Sequence, residues 1–143
     1  MPRIDFYILQ GAEPRGRERF ACRLIERAVS LGHAVFVRAA SREAAHDFDV
    51  LMWTYSDRSF LPHELADGLA PPSGRAPVLI GIGAAPPGHR ALLVNLTSEQ
   101  PLDLEAVERV AEIVDDEPER RRLARERFRQ YRERGFELET HTL

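Results

Sequence analysis

Two short apolar runs with one helical stretch between them restrict the fold more than any other feature of the chain. Residues 4–9 (IDFYIL) and 34–37 (AVFV) read as buried strands. Gly11, Pro14 and Gly16 mark a loop after the first. From residue 17 to 31, Phe20, Ala21, Leu24, Ile25, Ala28 and Leu31 recur at helical spacing, and Gly32 suits the helix C-terminus. Strand, helix and strand at this spacing predict a βαβ unit, with parallel strands joined by a right-handed crossover.

The same pattern continues. Ser41 is placed to cap a helix, with Ala44 where a capping-box glutamate would stand. That helix carries Ala44, Ala45, Phe48, Leu51 and Met52 to Trp53, and SDRSFLPHELADGLAPPSG then reads as irregular. Residues 76–82 (APVLIGI) and 91–96 (ALLVNL) read as a third and a fourth strand, with GAAPPGH as the turn between them. Leu104, Val107, Val110, Ala111 and Val114 predict one face of a further helix, interrupted by Asp115 and Asp116. Pro118 fits the first turn of a last helix, with Glu117 and Glu119 favourable at its N-terminus and Gly135 ending it. A chain of 143 residues without repeats or a linker predicts one domain, residues 1–143. The fold class is α/β, helices packed on a mostly parallel sheet.

No catalytic, cofactor or metal motif stands out. GIGAAPPG (81–88) has Pro86 where a dinucleotide loop needs its third glycine, and a strand follows where that loop needs a helix N-terminus. There is no GxxxxGK[ST] loop and no GxSxG elbow. His33, His46, His63, His89 and His141 are scattered, with no pair at metal-ligand spacing. Cys22, the only cysteine, reads as a small core residue and fits a reducing cytoplasm. The Asp115–Asp116 pair reads as capping. No apolar run reaches membrane-spanning length, and the N-terminus lacks the pattern of a secretory signal.

Two surfaces remain. In WTYSDRSFLPHEL, each aromatic taken singly reads as core closing over the sheet edge. Trp53, Phe60, Pro62 and His63 together read as a partner site, because aromatics held on a scaffold anchor interfaces.

The second surface is ERRRLARERFRQYRERGF (119–136), with eight of the chain's twenty arginines and, like the rest of the chain, no lysine. Every cation here therefore has the planar fork that fits carboxylate or phosphate. At about 100° per residue, Ala124, Phe128, Tyr131 and Gly135 form one stripe, with Arg121, Arg125 and Arg132 on its flank and Arg129 further round. Glu126 and Glu133 fall near Arg122 and Arg129, within reach of surface ion pairs. Three readings are open. The helix is a solvated amphipathic element docked by its stripe. Or it walls a pocket with an aromatic floor and an arginine rim, suited to an acidic, hydrophobic peptide. Or it binds nucleic acid, which a net charge of -3 and the interspersed glutamates oppose.

Nearly end to end, the chain resembles the chi subunit family of bacterial DNA polymerase III. The residues that carry the resemblance are FYIL (Phe6 to Leu9), W-x6-F-x-P-H at Trp53, Phe60, Pro62 and His63, and LARERFRQYRERGFEL from Leu123 to Leu138. The resemblance implies a Rossmann-like three-layer α/β/α fold that is non-catalytic, binds no nucleotide and needs no cofactor. It implies two protein partners, with DNA contacted mainly indirectly and no membrane contact. One is the psi subunit, which tethers chi to the clamp loader. The other is the C-terminal tail of single-stranded DNA-binding protein, Asp-rich and ending in phenylalanine with a free carboxylate. The family's tail residues carry over onto Val114, Arg121, Arg125 and Phe128, with Arg129 at another basic position. The psi side carries over onto Trp53, Phe60, Pro62 and His63. The chain departs from better-known members at GAAPPGH and around Asp115 and Asp116. The competing classes are a nucleotide-binding α/β enzyme and a module that binds single-stranded nucleic acid directly.

Overall fold

Strands buried on both faces need cover on both sides, which parallel sheets obtain from their crossover helices. In a computed structural model, β2 (Val35–Arg38), β4 (Val78–Gly81) and β5 (Leu92–Asn95) are buried along their whole length. The structure describes residues 2–55, 61–66 and 76–143. With β1 (Arg3–Ile8), β3 (His63–Ala66), β6 (Arg109–Val114) and β7 (Glu137–Thr142), these strands form one sheet in the order β3-β4-β2-β5-β6-β1-β7. Every pairing described is parallel, so the sheet is all-parallel rather than mostly so.

Helices α1 (Gly16–Ser30) and α2 (Arg42–Thr54) cover one face, over Val35, Val37, Val78, Ile80, Val94, Ala111 and Ile113. Helix α3 (Pro118–Glu133) covers the other, over Ile4, Phe6, Val110 and Val114. The result is a Rossmann-like α/β/α arrangement. Cys22 lies in the α1 layer, 1% exposed, as a core residue.

The local signals explain the helix ends. Ser41 accepts a hydrogen bond from the Ala44 amide at 3.0 Å. Gly32 and Gly135 sit at φ +87° and +86°, the left-handed conformation in which glycine best closes a helix. Pro118 opens α3, and Glu117 caps it, accepting from the Glu119 and Arg120 amides.

The structure corrects the sequence reading at the expected helix over Leu104 to Val114. Only Leu104–Ala106 is helical, as a single 3₁₀ turn, and Arg109–Val114 is β6. Its register runs Ile4↔Val110 on one side and Leu93↔Val110 on the other. Part of the expected irregular segment is the edge strand β3, and the polar stretch after Gly135 is the opposite edge strand, β7. No helix among the described residues is long and apolar enough to cross a membrane.

Candidate functional site

On α3 the arginines divide by partner. Arg127 is buried and closes on Glu112 of β6, with Nη2 and Nε 3.1 and 3.2 Å from the two carboxylate oxygens. Tyr131 and Asn95 donate to the same carboxylate at 2.6 and 3.0 Å. Burial, then the charge of Glu112, push the Tyr131 phenol far above its ordinary range. Arg120 binds Asp115 through two nitrogens, at 2.9 and 2.7 Å. Burial raises the Asp115 carboxyl, but the hydrogen bonds from Arg120 and the Glu117 amide outweigh it and hold the carboxyl below its usual range. Arg122 pairs with Glu119 and Glu126, and Arg134 hydrogen-bonds Gln100. Arg121 lies 3.3 Å from Asp116. Arg132 sits over the Phe128 ring at 5.7 Å. Arg125 and Arg129 make no ion pair among the described residues, so the expected Arg129–Glu133 pair is not formed.

These positions produce a cleft of about 210 Å³ between α3 and the β6-β1-β7 side of the sheet. Phe6, Ile8, Val114, Ala124 and Phe128 supply apolar surface, and Arg121, Arg125 and Thr140 complete the lining. Phe6 and Phe128 meet edge to face, with ring centroids 5.2 Å apart, which fixes the floor. Of the five residues expected here, the fold brings together Val114, Arg121, Arg125 and Phe128. Arg129 is exposed and lies outside the lining. The sequence reading missed Phe6 and Ile8 as lining residues, although FYIL contains both. It missed Thr140 because β7 has no apolar pattern.

The second surface lies at the other edge of the sheet. Trp53, in the last turn of α2, is 55% exposed, and its ring centroid lies 4.6 Å from that of His63 on β3. His63 itself is tucked in: Nδ1 lies 2.7 Å from the Leu61 carbonyl oxygen. Nε2 is 3.1 Å from Asp49, within ion-pair reach but without hydrogen-bond alignment. Pro62 is exposed and Val50 is 47% exposed nearby. Phe60 lies outside the described residues.

Two other groups stand out among the described residues. Burial, aided by Glu18 and Glu26, pushes the Cys22 thiol up to about 12, which removes it as a nucleophile at neutral pH. Asp5, Glu139 and His141 gather at the β1–β7 edge. Arg3 pairs with Asp5 and Glu139 at 3.0 and 2.8 Å, and Arg109 pairs with Asp5 at 2.6 Å, so the acidic groups of the cluster already have cationic partners within the chain.

Comparison with known proteins decides the family. The model of the DNA polymerase III chi subunit family, HolC, matches residues 1–139. The chain belongs to the chi subunit family. It is 41% identical over 143 residues to DNA polymerase III subunit chi of Pseudomonas aeruginosa, across all of this chain and 98% of that one. Identity to the Escherichia coli chi subunit is 31% over 127 residues, covering 87% of this chain and 84% of its relative. The Haemophilus influenzae chi subunit is 28% identical over 145 residues, covering 97% and 96%. Among solved structures, T4 UvsW superposes with a TM-score of 0.68 at 10% identity, over 99% of this chain but 41% of that one. At such identity the likeness speaks to the fold alone. Within the chi family, then, this chain carries an open arginine-rimmed cleft at one edge of the sheet and an exposed tryptophan at the other.

Proposed function

We propose that this chain is a non-catalytic accessory subunit of DNA polymerase III that acts as a bridge in DNA replication. The α3 cleft takes the acidic C-terminal tail of single-stranded DNA-binding protein. The surface around Trp53, Phe60, Pro62 and His63 takes the psi subunit and, through it, the clamp loader. The subunit works in the bacterial cytoplasm, without a cofactor, and contacts DNA mainly through its partners. Holding the polymerase machinery to coated single strands raises local concentration, which replaces catalysis as the contribution.

The observation that carries the reading is Arg125 beside Phe128. Arg125 is exposed and without an ion pair among the described residues, on the rim of a cleft with an apolar, aromatic floor. Its guanidinium matches a carboxylate, and the floor matches the aromatic side chain attached to that carboxylate. The cleft, at about 210 Å³, falls below the ~300–1,000 Å³ of sites for whole small molecules and suits a single side chain. A nucleotide reading has a larger hollow available, about 570 Å³ at the carboxyl end of β1. Arg19 and Arg23 line that hollow opposite Glu13 and Asp115, so its charges balance, and the enzyme class ranks lower because the loop after β1 lacks the GxxxxGK[ST] pattern that would cradle phosphate.

Calorimetry tests the proposal, using a synthetic peptide that is aspartate-rich and ends in phenylalanine with a free carboxylate. Saturable binding that weakens with added salt is the expected result. A folded protein that ignores the peptide at low salt removes the tail site from the bridge.

A further inference from the structure

The two cations on the cleft rim are not equivalent. Arg125 is open, whereas Arg121 already faces a carboxylate of its own chain. Nη1 of Arg121 lies 3.3 Å from Asp116 Oδ1. Asp116 is held at two points, one on its side chain and one on its backbone: Oδ2 accepts from the Gly11 amide at 2.6 Å, and the Asp116 amide donates to the Gly11 carbonyl at 2.9 Å. Gly11 belongs to the loop after β1, so this anchor is independent of α3. Asp116 cannot swing away with an incoming ligand without breaking the anchor.

We infer that Asp116 is an internal competitor for Arg121 that sets how strongly the cleft responds to a second acidic group on its ligand. The inference rests on the reading of the cleft as an acidic-peptide site. A ligand's first carboxylate meets Arg125 unopposed. Its second acid must displace Asp116 from Arg121 or stand beside a fixed negative charge. The empty rim thus carries two arginines and one aspartate, a formal charge of about +1 rather than +2. Both members of the pair are about two-fifths exposed, 43% and 42%, so water and salt moderate the effect. The competition changes affinity by several-fold rather than by orders of magnitude.

The test is Asp116→Asn, which removes the charge while its amide oxygen can still accept from Gly11. Calorimetry with the same peptide should show Asp116→Asn binding about threefold to tenfold tighter than wild type, with a steeper loss on adding salt. In an Arg121→Ala background the gain should shrink to below about twofold, because the contested cation is gone. Melting temperatures establish that each variant is folded. If Asp116→Asn binds equally or more weakly while Arg125→Ala still loses affinity, the cleft reading stands and this inference falls. In that case Asp116 positions Arg121 instead of competing for it. If folded wild type and folded Asp116→Asn both ignore the peptide, the cleft reading and the inference fall together.

Discussion

Arg127 of α3 and Glu112 of β6 form a two-nitrogen ion pair in the interior, at 3.1 and 3.2 Å, and it fixes the arginine helix to the sheet. Glu112 is 0% exposed and Arg127 6%, so neither charge has water to fall back on. Asn95 and Tyr131 use the remaining acceptor capacity of the carboxylate, and the Ser98 carbonyl accepts from Arg127 at 3.0 Å. The helix that presents the cleft is therefore positioned by a polar network as well as by its apolar stripe.

Removing one partner strands the other. Arg127→Met should cost about 3–5 kcal/mol in urea unfolding, because Glu112 keeps a buried charge without its cation. The double variant Glu112→Leu, Arg127→Met should recover only part of the loss, since it removes the unpaired charge but also takes the acceptor from the buried Tyr131 hydroxyl. A single-variant loss below about 1 kcal/mol would show that the pair is not a fastening.

Asp5 gives the fold a specific acid sensitivity. Burial pushes its carboxyl up, but hydrogen bonds from His141, Arg109 and Arg3 outweigh that and hold it below its ordinary 3.8. A depressed carboxyl adds stability that is fully present above that ordinary value and is lost as pH falls through the folded-state value. In melting series between about pH 5 and 2, clear of the ordinary histidine range, wild type should lose its advantage over Asp5→Asn as acidity increases. Asp115, also depressed, is common to both proteins and cancels in the difference. A gap that stays constant down to pH 2 would contradict the assignment.

What the sequence revealed and what it hid follow one physical rule. Strong periodicity is legible, so α1, α2 and α3 and the buried strands β1, β2, β4 and β5 could be read from spacing. Strand β6 was misread because Leu104, Val107, Val110, Ala111 and Val114 match a helical stripe by coincidence. Its alternate faces are both buried, and Glu112, which looks like a solvent residue, pairs internally with Arg127. The edge strands β3 and β7 need apolar residues on one face at most, so HELA and ELETHT show no strand signal. In the cleft, Phe128, Arg121 and Arg125 came from one helix and could be grouped by angle. Thr140 enters from β7, and the Gly11 anchor of Asp116 spans 105 positions of sequence. No local pattern encodes such a contact.

Trp53 should behave as a partner residue rather than as core. At 55% exposure, Trp53→Ala should change stability by less than about 1 kcal/mol. It should weaken the complex with a psi-like subunit by about 2 kcal/mol, a hot-spot loss, and leave peptide binding at the cleft unchanged. Phe60→Ala is the parallel substitution. If Trp53→Ala yields no soluble protein, the ring closes the sheet edge and the site lies elsewhere.

Arg125 should be the main carboxylate anchor of the cleft. It lies about 60° round α3 from Phe128 and one turn from Arg121, so the cation and the apolar floor face one ligand. A charge-assisted hydrogen bond contributes about 1.5–3 kcal/mol, so Arg125→Ala should weaken the free-acid peptide by about ten- to a hundredfold. Amidating the peptide's terminal carboxylate should cost a similar amount. The two losses should not add, because they remove the same contact from opposite sides. A calorimetric cycle of wild type and Arg125→Ala against both peptides measures the coupling. Additive losses would place the terminal carboxylate away from Arg125 and leave that arginine to the solvated face of the helix.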